Sequence, residues 1–233
     1  MIEKYNPKFF TLANNDIIVH PDWLKGCHRV FNQNTKIGIC SCNVFGNKVY
    51  VPYKIYLAAK KNYSKFNFRI TQEGFGGMLF SIRAKTIKLL NFIDEGFLYF
   101  GEETDLLRRA KNYGITTAVT NTPIWHSVSS THKKNNFKAS FHQMKAELRL
   151  ALKHRSLFHF FLKFLSLFYN LLNPKKIKAL IKTHSGAKRL IPSKSRIVNI
   201  SILICAALRV FMSYPAILQR ILIEKKIFKR YSK

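Results

Sequence analysis

Three groups of side chains in this sequence have the types and spacing that chemistry needs. The sharpest is Glu102-Glu103-Thr104-Asp105, an acidic run at a loop-to-helix junction. Crowded carboxylates raise the proton affinity of at least one member, and such a group can accept a proton from an attacking hydroxyl. The plainer alternative is a helix start, where negative charge is favoured, with Asp105 paired to Arg108 or Arg109 one turn on. The second group, Asn14-Asn15-Asp16, follows a short apolar run, the end of a strand where α/β proteins hold ligands. A carboxylate there suits a divalent ion set among phosphates, and it equally suits a turn or cap. The third is His126, after Trp125, either a ligand to a metal or diphosphate or a packed histidine. Gly74, Gly76 and Gly77 do not form the dinucleotide fingerprint, because they precede their strand instead of following one. They mark close backbone approach to a ligand or another loop.

The elements that must position these residues are short. Phe9–Leu12, Ile17–Val19, Ile37–Val44, Val49–Val51, Met78–Ile82 and Ile115–Val119 read as strands. A helix is expected from Asp22, with Trp23, Leu24, Cys27 and Val30 at helical spacing. Ala84–Leu90 and Glu103–Tyr113 are further helices, the second with Leu106, Leu107 and Ala110 inward and Gly114 as its stop. Residues 52–73 carry little periodicity and read as a loop or helix–loop segment. The alternation predicts an α/β domain with a largely parallel or mixed sheet, followed by something different. Phe137–Leu172 reads as one long basic helix ended by Asn173-Pro174. Residues 175–196 read as a basic linker. Ile197–Leu208 and Ala216–Ile223 are apolar runs separated by Tyr214-Pro215. The predicted division is 1–132 and 133–233.

Charge separates the same two parts. Of the chain's 40 Lys and Arg and 11 Asp and Glu, residues 1–125 hold 17 basic and 9 acidic side chains, and residues 126–233 hold 23 and 2. A hydrophobic content of 47% excludes a disordered basic tail. Four cysteines (Cys27, Cys40, Cys42, Cys205) exclude a disulfide scaffold, and no secretory signal opens the sequence. The second part suits an anionic surface. Its Phe/Leu runs, flanked by Lys and Arg, have the make-up of basic amphipathic helices lying on a membrane, with burial against each other as the alternative. They do not form a nucleic-acid reading module, although a net charge of +29 would bind any polyanion.

Taken together, the order and spacing of the clusters resemble the back half of the family 2 glycosyltransferases, closest to the rhamnosyltransferase-like branch of polysaccharide assembly. The matching residues are Asn14-Asn15-Asp16 with Pro21-Asp22-Trp23-Leu24, then Gly76–Arg83, then the run from Phe92 through Asp94-Glu95 and Glu102-Glu103-Thr104-Asp105 to Arg109 and Gly114. His126 with Ser129-Ser130 closes the likeness, which covers about residues 7–132. The resemblance implies a partial GT-A-like mixed sheet and an inverting sugar transfer from a nucleotide-diphospho-sugar donor to a saccharide, or lipid-linked saccharide, acceptor. It implies Asn15, Asp16 and His126 at the donor diphosphate, with Asp16 and His126 holding Mn2+ or Mg2+. Glu103 becomes the general base, with Glu102 and Asp105 beside the acceptor, and the protein works at the cytoplasmic face of the membrane. Two features depart from the family. Glu103 stands where an Asp is usual, and about 80 residues that usually precede the Asn14-Asn15-Asp16 strand are missing. The expectation is therefore a truncated enzyme, one completed by a separately encoded front half, or a catalytically incomplete membrane-surface or partner-binding protein.

Overall fold

A computed structural model describes residues 5–45, 53–71, 79–126, 136–173 and 195–231. The chain divides into two compact units, Met1–Ile93 with Leu106–Ser130, and Asp94–Asp105 with Thr131–Tyr231. The expected boundary at 132/133 lies outside the described residues, and Asp94–Asp105 groups with the helices of the second unit.

The first unit is a mixed α/β sheet. Its strands are β1 (Phe9–Ala13), β2 (Ile17–Val19), β3 (Ile37–Phe45), β4 (Phe68–Thr71), β5 (Leu79–Arg83) and β6 (Thr116–His126). Its helices are α1 (Trp23–Gln33), α2 (Tyr53–Lys61), α3 (Ala84–Leu89) and the part of α4 (Glu102–Asn112) from Leu106 onward. The sheet order is β1-β5-β3-β6-β2, with β4 also on β6. The β3–β6 pair is parallel, and the other pairs are antiparallel. The sheet is thus mixed, as one of the two expected forms.

Alternation along the strands, interrupted by a register shift in β3 between Ile37 and Ile39, explains why both faces are covered. Ile37, Cys40 and Cys42 of β3 join Leu79, Ala118 and Ile124 beneath Cys27, Val30 and Phe31 of α1. Ile39 joins Phe80 and Ile82 on the other face, against Ile87, Leu90, Leu106 and Ala110. Leu24, at helical spacing with Cys27 and Val30, is exposed. The three buried cysteines are structural. The hydrogen bond with Cys40, and then burial, push the Cys27 thiol up, and the bond with Cys27, and then burial, push up Cys42.

Two elements of the sheet unit differ from the sequence expectation. Tyr53–Lys61 forms α2, the helix of the expected helix–loop segment, but Phe68–Thr71 adds a strand, β4. The last strand runs through Pro123 to His126 instead of stopping at Val119, because β2 pairs antiparallel with Ile124–His126. Pro123 is accommodated at a register irregularity against β3. The turn and strand expected at 46–51 and the glycines at 74–77 lie outside the described residues.

The second unit contains α5 (Asn136–His154), α6 (Leu157–Leu172), α7 (Arg196–Met212) and α8 (Tyr214–Tyr231). The single long helix expected over Phe137–Leu172 is two helices. Ser156 breaks it by accepting a hydrogen bond from the His159 N–H, a cap that starts a new helix. Met144, Leu148 and Leu152 of α5 pack with Phe160, Leu167 and Leu171 of α6, Leu203, Ala206 and Val210 of α7, and Ile217 of α8. Among the described residues no single helix is long and apolar enough to cross a membrane. The pair α7 and α8 passes on length and composition jointly, across a 53° bend.

Arg83 closes the end of α1. Its guanidinium donates to the carbonyls of Phe31, Asn34 and Ile37 and lies over the Phe9 and Phe31 rings. Replacing Arg83 by Met should lower unfolding free energy by about 2–3 kcal/mol, since partly buried carbonyls lose a charged donor. Arg83→Lys should recover less than half, because one ammonium lacks the planar fork. Urea melts of the two variants test this.

Candidate functional site

Asp16 sits in the tight turn between β1 and β2, and the pairing of Ile17 with His126 in the β2–β6 ladder brings the two side chains together. His126 Nε2 lies 2.9 Å from Asp16 Oδ1, with side-chain exposures of 8% and 18%. Residues 110 apart in sequence thus form one oxygen–nitrogen pair, beside the exposed Asn15. The spacing is that of a direct hydrogen bond. It is also close to the separation of neighbouring ligands that each bind one hard cation at about 2.1 Å. A carboxylate and an imidazole are both donor types that divalent ions accept.

The acidic run at the start of α4 divides into two environments. Asp105 is fully buried and meets α5, with His154 Nε2 at 2.7 Å and Lys153 Nζ at 2.9 Å from Oδ1. The same ammonium lies 2.9 Å from Asp94 Oδ2 and 2.9 Å from Glu224 Oε1. Arg149 forks onto Asp94, with Nη2 3.0 Å from each oxygen, and Arg220 Nε reaches Glu224 at 2.8 Å. The three carboxylates bring oxygens within 4.8 Å of one another, a buried acidic triad placed to chelate a cation. The cation at its centre in this structure is the ammonium of Lys153.

The local chain is built around this group. Asp94 also accepts from the Gly96 N–H at 2.8 Å, and its carbonyl accepts from Phe97 N–H, so the loop turns tightly. A Cβ at Gly96 would run into the Arg149 guanidinium, so a side chain there would have to displace the arginine from Asp94. Burial would raise the Asp94 carboxyl, but the charges of Lys153 and Arg149, with the Lys153 and Gly96 hydrogen bonds, outweigh it and hold Asp94 below the usual carboxylate range.

Glu102, first in the helix, is in the opposite state. Burial, and then the neighbouring Glu103 charge, push its carboxyl up. Its Oε2 is buried and has no hydrogen-bond partner among the described residues. Tyr99, three residues earlier, has φ +73° and packs edge-on against His142 under the Lys138 ammonium.

Of the residues singled out in the sequence, the structure brings together Asp16 with His126, and sets Glu102 and Glu103 at the first turn of the helix that carries Asp105. Sequence reasoning missed Asp94 as a partner, and missed Arg149, Lys153, His154, Arg220 and Glu224 altogether. A signal for the last was present. Ile217, Ile221, Glu224 and Phe228 recur at helical spacing, so Glu224 lies on the apolar stripe of α8 and needs a buried cation there.

Removing the central charge tests this account. Lys153→Met should cost about 3–5 kcal/mol at neutral pH, because three carboxylates then share a buried site with too few cations. The pH dependence should also invert. In the natural chain the depressed Asp94 contributes stability that is present above its unfolded value of 3.8 and lost as pH falls below it. In Lys153→Met the unpaired acids take up protons, so stability should rise as pH is lowered from 7 towards 5. Urea unfolding across that range checks the slope.

No protein-family model matches the chain, and no curated protein matches it at a significant level.

Proposed function

We propose that this protein transfers a sugar from a nucleotide-diphospho-sugar to a hydroxyl of a saccharide acceptor, with inversion at the anomeric carbon. The observation that carries the reading is the Asp16–His126 pair. It joins the last residue of the Asn14-Asn15-Asp16 turn to the histidine that closes the sheet, the two positions at which the sequence resemblance sets metal and diphosphate. The buried acidic triad adds a second centre of carboxylate chemistry, in general agreement with a catalytic protein.

The roles follow from the chemistry of each group. Asp16 and His126, with the adjacent Asn15, hold the donor diphosphate. A divalent cation bound by Asp16 and His126, Mn2+ or Mg2+, would supply charge to offset that of the departing diphosphate. The acceptor hydroxyl's proton goes to a carboxylate, and within the helical unit Glu102, whose proton affinity is raised, is the group suited to accept one. The hydroxyl oxygen forms the new bond to the anomeric carbon, and the old carbon–oxygen bond leaves with its electron pair on the nucleoside diphosphate. Glu103 is the neighbouring charge that tunes Glu102, which exchanges the roles first expected for the two. Asp105, enclosed by Lys153 and His154, positions the helix that carries them and does not take the proton.

Titration calorimetry with UDP, dTDP and GDP, with and without Mn2+, tests the donor half. Binding should require Mn2+ and weaken at least about tenfold in Asp16→Ala and in His126→Ala, each losing one of the cation's ligands. Glu102→Gln should bind nucleotide as the natural chain does while lowering the transfer rate about 10²–10⁴-fold. A folded chain that binds none of the three nucleotides overturns the reading.

A further inference from the structure

Helix α6 is apolar on two opposite sides. Phe160, Leu167 and Leu171 are buried, with Phe164 partly so, and these form the stripe that packs into the helical core. At about 100° per residue, Phe158, Phe161, Leu162, Leu165 and Leu172 fall within an arc of roughly 100° on the other side, and all five are exposed. A surface helix of a soluble protein carries charge there. Here the exposed positions of α6 bear no charged side chain at all, and Phe158 and Leu165 are 66% and 58% accessible. Helix α7 repeats the pattern, with Ile204, Leu208, Phe211 and Met212 exposed opposite Leu203, Ala206 and Val210.

The charges around these faces have one sign. Across the described residues from 155 to 230, every exposed ionised side chain is basic, including Arg155, Arg196, Arg209, Lys225, Lys226 and Lys229. The acids of this region are already engaged. Glu224 is buried against Lys153 and Arg220, and Glu147 of α5 holds Lys163 at 2.9 Å. The outward surface therefore pairs uncharged Phe and Leu with cations that have no exposed carboxylate among them.

We infer that the outward faces of α6 and α7 form a docking surface for an anionic lipid bilayer, with Phe158, Phe161, Leu162 and Leu165 inserted at the headgroup boundary and the basic side chains on lipid phosphates. Two physical terms select this occupant. Apolar side chains leave water on insertion, and each Lys or Arg at an anionic surface adds a favourable increment. A second copy of the chain satisfies the first term but opposes the second, because it sets two surfaces of like charge face to face. The inference does not depend on the sugar-transfer reading, since it uses none of the residues assigned to that chemistry.

Vesicle flotation of the full chain tests it, using phosphatidylcholine vesicles with and without about 30% phosphatidylglycerol, at about 0.15 M and about 0.5 M NaCl. The chain should float with the anionic vesicles at both salt concentrations. Phe158→Asp with Leu165→Asp should reduce partitioning at least about tenfold while leaving the thermal melt unchanged, because both positions face outward. Lys225→Glu with Lys226→Glu should weaken binding about tenfold or more at the lower salt and much less at the higher. If the double Asp variant melts early, Phe158→Ser replaces it, read against the same flotation. Overturning results are no flotation with anionic vesicles, loss of all binding at the higher salt, or equal flotation of a folded outward-face variant. A dimer in light scattering that the same variant converts to monomer also overturns it, by making a second copy the occupant.

Discussion

Three carboxylates removed from water around one ammonium form the most demanding constraint in this chain. Asp94, Asp105 and Glu224 are 3%, 0% and 4% exposed, and each would be costly to ionise alone in such surroundings. Lys153, Arg149 and Arg220 balance the three charges one for one, and His154 takes a remaining lone pair of Asp105. Such a group contributes little net stability over a well-packed apolar core, but losing one member is expensive. It therefore fixes geometry more than it adds stability. A loop, the first turn of α4, the last turn of α5 and the middle of α8 must all meet at one point. The tight turn at Asp94, the glycine against Arg149 and the placing of Glu102 follow from that meeting.

The same helix turn shows how environment divides like residues into unlike roles. Glu102 and Asp105 are three positions apart, so both belong to one turn. Asp105 is fully buried, with a lysine ammonium and a histidine ring within 3 Å. Glu102 has burial and a like charge beside it, and its proton affinity rises. Carboxylates set in such different surroundings are the usual way a protein separates structural charge from reactive charge.

Much of the sheet unit was legible in the sequence because its signals are local. Apolar runs of strand length, the Asp22–Trp23 helix start and the Gly114 stop all coincide with observed elements. The failures have physical causes. Pro123 reads as a strand breaker, yet β6 continues through it because the register against β3 is irregular at that point and β2 supplies partners beyond it. The break at Ser156 was hidden because neither glycine nor proline stands there, and what starts the new helix is the Ser156 cap. At the candidate site, Asp16 and His126 were legible from the order of motifs. The Lys153 cluster was not, because its members come from four segments and each alone is an ordinary charged residue. Besides the Glu224 stripe of α8, a second periodic clue lies in α5. His142, Ala146, Arg149 and Lys153 share a buried stripe of α5, so two of the cations sit where apolar residues would.

The division of the chain within α4 bears on how the molecule comes to be assembled. Asp94–Asp105 belongs to the helical unit, yet it is flanked on both sides by chain that belongs to the sheet. Glu224 follows Asp105 by 119 residues. During synthesis the sheet's segments can emerge and pair well before Arg149, Lys153 and Glu224 exist. Until then Asp94 and Asp105 must stay hydrated, and the loop around Asp94 has no reason to adopt its native turn. The helical unit is therefore a late and non-local event in folding. It also cannot be dissected as a contiguous piece: a fragment from residue 131 onward would carry Lys153, Arg149 and Glu224 without two of the three acids that hold them.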